Sequence, residues 1–256
     1  MTQFRPCIDL HQGKVKQIVG GSLNDNDDGP TENFITDDPP EWFAAKFRDD
    51  QVGGGHVIKL GPGNDEAAKK ALGAWPGGLQ IGGGITSGNA AEWLDAGASH
   101  VIVTSALFDH SGNFQKDLLN QLVKLIGRDK LVIDLSCRRK DNGWVVAMNR
   151  WQTLTDLELN HDTLDQLAPY CDEYLIHAAD IEGLCRGIDE ELVELLGNWG
   201  KIPVTYAGGA TRMEELEAIH HRSKGRVDVT VGSALDLFGG DSLSYSHLVK
   251  WNHRKS

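Results

Sequence analysis

Short apolar runs alternate along the whole chain with longer stretches whose apolar positions recur every three or four residues. The runs at 5–10, 56–60, 79–81, 101–104, 131–135, 174–178, 203–206 and 228–232 predict strands. They are nearly continuously apolar rather than alternating, as parallel strands covered on both faces must be. Between them the spacing predicts helices at 39–48, from 64, after Ser87, at 113–126, 161–168 and 189–196, at 212–220 and from 242. The first begins at a proline and carries Trp42, Phe43 and Phe47; the third turns Ala90, Trp93 and Leu94 inward. The helix-borne indoles Trp42, Trp93, Trp199 and Trp251 are expected in the core.

Three segments interrupt this beat. After His11-Gln12-Gly13, the alternating run at 15–19 predicts a small hairpin over one end of the sheet. Residues 24–38 are polar and rich in Asp, Asn and Pro, longer than a connection requires, and are expected to form a lid loop. A second hairpin is predicted at 139–148, with its turn at Asp141-Asn142-Gly143, and it leads to Trp151. An aromatic on such a loop is either a stacking platform for a flat ligand or a loop anchor.

The chain also repeats itself. Asp9 ends the first apolar run and Asp134 the fifth, an offset of 125 residues that also relates Gly83-Gly84 to Gly208-Gly209 and Thr86 to Thr211. Val101-Ile-Val-Thr-Ser-Ala-Leu107 is echoed by Val229-Thr-Val-Gly-Ser-Ala-Leu235. Two similar halves, 1–127 and 128–256, each with four strands and four helices, predict a single α/β domain: one closed (β/α)8 TIM barrel built from two half-barrels.

The net charge of −12 leaves no basic stripe for a nucleic acid backbone. The first strand follows the N-terminus closely, so no targeting peptide is expected, and no apolar run reaches membrane-spanning length. Cys7, Cys137, Cys171 and Cys185 show no metal-binding or disulfide spacing, so no metal site and a cytoplasmic location are expected.

In a barrel of this kind the chemistry lies at the C-terminal ends of the strands. Asp9 and Asp134 then face each other across the ring, where one carboxylate can serve as base and the other as acid. The structural alternative is a loop cap, or an ion pair with Lys14 or Arg138. Gly83 and Gly84 follow strand three and Gly208 and Gly209 follow strand seven, each pair close to a helix start; Thr104-Ser105 and Gly232-Ser233 lie on the neighbouring strands. Glycine turns let backbone N–H groups approach an anion, so each half offers one phosphate cradle. Two cradles on opposite sides of two carboxylates predict a small-molecule bisphosphate that reacts near its middle.

These residues sit in motifs that resemble a known family. Cys7-Ile-Asp-Leu-His11, Val15-Lys-Gln-Ile-Val-Gly-Gly21, His56-Val-Ile-Lys-Leu-Gly-Pro62, Gly82-Gly-Gly84, Asp134-Leu-Ser-Cys-Arg138, Trp151-Gln-Thr-Leu-Thr-Asp156, Ile176-His-Ala-Ala-Asp180 and Tyr206-Ala-Gly-Gly209 cover nearly the whole chain. Together they resemble the phosphoribosylformimino-aminoimidazole carboxamide ribotide (ProFAR) isomerases of histidine biosynthesis, in their eukaryotic-type branch. The resemblance implies an Amadori rearrangement of an aminoaldose to its ketose (PRFAR), with no cofactor or metal; no membrane or obligate protein partner is expected, and a monomer is. It implies Asp9 as general base at C2 of the opened ribosyl chain and Asp134 as general acid in ring opening. Trp151 falls where the family stacks an aromatic on the imidazole carboxamide; His11, Lys16, Arg138, His177 and Asp180 are the other expected substrate-binding side chains.

The chain departs from the bacterial pattern at three places. Lys59-Leu60-Gly61-Pro62 replaces Asp-Leu-Asp-Gly, Gln17 beside Lys16 replaces an arginine, and His177-Ala178-Ala179-Asp180 lacks the helper threonine, for which His177 or Asp180 could stand. The sister cyclase of imidazole glycerol phosphate synthase shares the two aspartates and the cradles, but usually has Lys where His11 stands; the hairpin before Trp151 favours the isomerase. A non-catalytic phosphosugar-binding barrel is the remaining alternative.

Overall fold

The computed structural model describes residues 1–18, 32–149, 151–181, 184 and 187–254. Eight parallel strands form the wall of a barrel: β1 (Cys7–His11), β2 (Gly55–Lys59), β3 (Leu79–Gly82), β4 (Val101–Val103), β5 (Leu131–Asp134), β6 (Glu173–His177), β7 (Val204–Ala207) and β8 (Val227–Thr230). Each pairs with its neighbours in chain order, from β1 round to β8. A two-residue extension before β1, Phe4–Arg5, closes the ring by pairing in parallel with β8, Phe4 opposite Val229 and Arg5 opposite Thr230.

The helices are α1 (Pro40–Asp49), α2 (Asp65–Ala74), α3 (Ala90–Asp95), α4 (Lys116–Ile126), α5 (His161–Leu167), α6 (Glu190–Trp199), α7 (Met213–Arg222) and α8 (Tyr245–Asn252). Local chemistry sets several of their ends. Pro40 opens α1, where its missing N–H costs nothing. Asn160 and Asp189 cap α5 and α6 by accepting from the amides of Thr163 and Leu192, and Gly200 ends α6 in the left-handed region. Elements expected from the apolar pattern are all present; their ends shift by up to a few residues, and α6 runs three residues past the expected 196 to bury Trp199.

Two layers of core follow from the closed ring. The larger lies between strands and helices. The smaller fills the barrel with Ile58, Ile102, Val132, Leu175 and Ala207. Below this plug, near the N-terminal strand ends, Glu173 accepts hydrogen bonds from Gln80 at 2.8 Å and Thr205 at 2.5 Å, and Arg5 pairs with Asp228 at 2.7 Å. Burial raises the Glu173 carboxyl above its ordinary range, against the charge of Arg5 and its two hydrogen bonds. No helix among the described residues is long and apolar enough to cross a membrane. Cys7, Cys137 and Cys171 are buried thiols without disulfides; Cys185 lies outside the described residues.

Three expectations are corrected. Strand Glu32–Ile35 pairs antiparallel with Lys14–Ile18, which itself pairs with β1, so the stretch expected as a loop to 38 contains a strand. Positions 24–31 of the expected lid, and Val19 of the first hairpin, lie outside the described residues. The second hairpin is a three-stranded antiparallel sheet, Cys137–Lys140, Gly143–Met148 and Thr153–Glu158. Its last strand alternates between half-buried and exposed residues, which hid it beside the apolar barrel strands.

Trp42 is the third correction: it is 44% exposed on α1 and lies edge-on to Phe43, whereas Phe43 and Phe47 are buried. Three aromatics within one helix cannot all face one seam, and adjacent residues project about 100° apart. Removing the ring at Phe47 is therefore expected to cost about 3–5 kcal/mol of unfolding free energy. Trp42→Ala should cost about 1 kcal/mol or less, with both variants compared with wild type by urea titration.

Candidate active site

The C-terminal strand ends converge on one mouth, and the two repeated carboxylates stand there on β1 and β5, half-way round the ring from each other. Asp9 is half-buried, and its Oδ2 accepts from the Gln17 side-chain amide at 3.1 Å. Asp134 is the last residue of β5. Where the ladder ends, its Oδ1 takes both the backbone N–H of Ser136 at 2.8 Å and the Ser136 hydroxyl at 2.7 Å, the local turn that Asp favours after a strand. Of the cations considered above as structural partners, Lys14 bridges Asp37 and Arg138 bridges Asp180, each at 2.8 Å.

His177, at the end of β6, places Nδ1 3.4 Å from the same Oδ1 of Asp134, with both side chains largely buried. Burial acts to raise the Asp134 carboxyl. The charge and hydrogen bond of His177, joined by hydroxyl donors from Ser136 and Thr104, outweigh it and hold the group below the usual carboxylate range. Deeper in the barrel, burial drives the His56 ring down to about 3, with His177 adding to the effect and Asp134 opposing it. His56 is thus a neutral imidazole under the pair.

Trp151 covers His177, with ring centroids 5.8 Å apart and planes inclined by 41°. It occupies the turn between the second and third strands of the inserted sheet, with φ of +64°, a conformation that bulky residues rarely adopt. The turn is tied to the barrel, since the amide of Asn149 donates to the Ser105 hydroxyl at 3.3 Å. A backbone held in that region costs of order 1–3 kcal/mol and clusters at functional sites.

The glycine turns divide in two. At Gly83 a Cβ would lie 2.1 Å from the carbonyl oxygen of Lys59, and at Gly209 2.1 Å from that of Gly187, so these glycines admit a neighbouring chain. Gly84 differs: with φ of +69° it has open space where its side chain would be. Gly208 packs on Ala178 and Tyr206, and Gly232 faces the Gln17 side-chain oxygen. Among the described residues, no hydrogen bond outside regular ladders and helices takes up the backbone amides of Gly84, Gly209, Gly232 or Ser233.

Other expected site residues are placed differently from the simplest picture. Thr104 turns to the Asp134 carboxylate, and the Ser105 hydroxyl accepts from the Asn149 amide, so both hydroxyls have partners within the chain. Arg138 and Asp180 meet each other at the rim, where Asp180 also accepts from the Arg139 amide at 2.7 Å. Lys16 is buried, with Nζ 3.5 Å from His11 Nδ1. Lys59, at the loop that departs from the bacterial pattern, lies 3.9 Å over the Trp93 ring and 2.8 Å from Asp65.

Ser136, Gln17 and His56 stand within the quoted motifs but were not among the expected site side chains. A hydroxyl two residues after a strand-end Asp is a signal for Ser136, and inward alternation with Val15 and Ile58 is one for Gln17 and His56.

Comparison with known proteins agrees with this geometry. A sequence model described as histidine biosynthesis protein matches residues 3–241. The chain is 58% identical over 261 residues to the 1-(5-phosphoribosyl)-5-((5-phosphoribosylamino)methylideneamino)imidazole-4-carboxamide isomerase of Yarrowia lipolytica, with 99% of each chain covered. It is 55% identical to the isomerase of that name from Neurospora crassa and 51% identical to that from Saccharomyces cerevisiae, in both cases with 100% of each chain covered. With the fold, the paired mouth carboxylates and these full-length relatives in agreement, the chain belongs to the histidine biosynthesis protein family, and within it to the isomerases.

Proposed function

We propose that this chain carries out the reaction for which its relatives are named, opening the ribosylamino ring of the bisphosphate and converting that aldose to its ketose. The observation that carries the proposal is the opposition of Asp9 and Asp134 on β1 and β5, each held by its own donors at one mouth. The chain acts in the cytoplasm without a protein partner.

The rearrangement needs a proton at the ring oxygen and the loss of one from C2. In the proposed cycle the Asp134–His177 pair supplies the first: the ring C–O bond breaks as the nitrogen lone pair forms a C=N bond at C1. An Asp134 carboxyl held below its ordinary range is ionised in the resting site, so the transferable proton belongs to the pair rather than to one atom. Asp9 then removes the C2 proton, and the electrons form a C1=C2 bond and neutralise the iminium; the enol becomes the ketone as C1 takes the proton that Asp9 holds and the C2 hydroxyl gives up a proton, replacing the one the pair supplied. Each carboxylate's proton transfer supplies about 10²–10⁴ in rate.

Trp151 stacks on the imidazole carboxamide and shields the acid side from water. One phosphate lies over Gly83-Gly84 and the amides beside Thr104-Ser105, the other over Gly208-Gly209 and Gly232-Ser233. Backbone N–H groups set the local field there, so a chain of net charge −12 can hold a dianion at each end. His11 and Lys16 line the β1 side, while Arg138 and Asp180 act as a rim pair.

Three measurements test these assignments. Asp9→Asn and Asp134→Asn are each expected to lower kcat by about 10² or more with little change in substrate Kd; normal kcat with weakened binding would make them binding groups. His177→Ala removes a group that holds the Asp134 carboxyl down, so its pKa should rise; carboxyl-carbon NMR titration of wild type and variant measures the shift, and an unchanged titration would remove His177 from the pair. Gly84→Asp and Gly84→Asn share shape and a backbone type that both tolerate. If a phosphate sits there, Asp should raise KM well above Asn, and equal KM values would empty that cradle.

A further inference from the structure

We infer that Gln17 is a positioning residue for Asp9, holding the carboxylate from across the seam where β8 meets β1. This rests on the assignment of Asp9 as the base. The seam is a short join of two residue pairs. Pro6 has no N–H to continue the ladder, and beyond Phe4–Val229 and Arg5–Thr230 no further pairing joins β1 to β8 among the described residues. Above that point Cys7 Sγ donates to the Val231 carbonyl, at 3.7 Å.

Gln17 fills the gap. It stands on hairpin strand Lys14–Ile18 and is only 3% exposed. Its Nε2 donates to Asp9 Oδ2 at 3.1 Å and lies 4.0 Å from Cys7 Sγ. Its Oε1 lies so close to Gly232 that a Cβ there would be 2.3 Å away. One planar amide therefore spans from the carboxylate on β1 to the turn after β8, and Gly232 is small because the amide passes there.

A neutral amide donor favours the ionised carboxylate and fixes which oxygen faces the substrate, without the charge that a cation at this place would add. Other titratable or charged groups on the surrounding elements are Arg5 in the extension, Cys7 and His11 on β1, Lys14 and Lys16 on the hairpin strand, Glu32 on the strand paired with it, Lys59 and His56 on β2, Asp228 on β8, and Asp134 and His177 across the mouth. All stay in place when Gln17 alone is replaced.

The experiment is a pH profile of kcat/KM for wild type, Gln17→Ala, Gly232→Ala and the double variant, with Asp9→Asn as control. Gln17→Ala should lower kcat/KM by about tenfold or more and move the acidic limb to higher pH, because Asp9 loses a donor to its charged form. Gly232→Ala displaces the amide and should act in the same direction. The double variant should be no worse than Gln17→Ala alone, since the added methyl then enters the space the amide has left.

Additive losses with an unmoved acidic limb would overturn the positioning role and leave Gln17 a packing residue. Should Gln17→Ala fail to fold, Gln17→Glu keeps the volume and sets a carboxylate against Asp9, which must push the limb higher still; an unmoved limb there overturns the inference equally. Retained turnover in Asp9→Asn would instead sink the base assignment itself.

Discussion

The two-residue ladder between Phe4–Arg5 and Val229–Thr230 is the constraint on which the mouth depends. It converts a row of parallel strands into a ring, and only a ring brings β1 and β5 to face each other with all C-terminal ends on one side. Open the seam and Asp9 loses its fixed relation to Asp134. The filling of the barrel follows from the same closure: an apolar plug in the middle, a satisfied polar layer around Glu173 beneath, and the two strand-end carboxylates above, where the ladder no longer takes up the backbone.

The two carboxylates are embedded in unlike surroundings although they are repeats of each other. Asp134 is held by a local serine turn, a threonine and an imidazole; Asp9 has a neutral amide reaching in from an added hairpin. Each difference arises outside the shared strand, in the segment that follows it. That is how one duplicated strand end can be given two roles, since the proton affinity of a carboxylate is set by its donors and by the water it has lost.

Much of this was legible in the residue pattern. Continuous apolar runs at regular spacing reveal parallel strands, and the repeated Asp and Gly-Gly reveal the mouth, because backbone burial and strand-end geometry act locally on sequence. What stayed hidden depends on contacts between distant segments. Gly83 and Gly84 look alike in sequence, yet one admits the Lys59 carbonyl and the other faces open space. Thr104 reads in sequence as a cradle hydroxyl, with no sign that β5 brings Asp134 beside it. Trp42 follows helical spacing but falls on the wrong side of the seam, and the last strand of the inserted sheet alternates too weakly to stand out.

The central claim is that this mouth turns an aldose into a ketose between two phosphates. The most direct measurement is carbon NMR of the purified chain alone with the ribosylamino bisphosphate, labelled at the anomeric carbon. Loss of the anomeric signal and growth of a methylene carbon beside a ketone is the result expected. Saturable binding of the bisphosphate with an anomeric signal that never decays would contradict it.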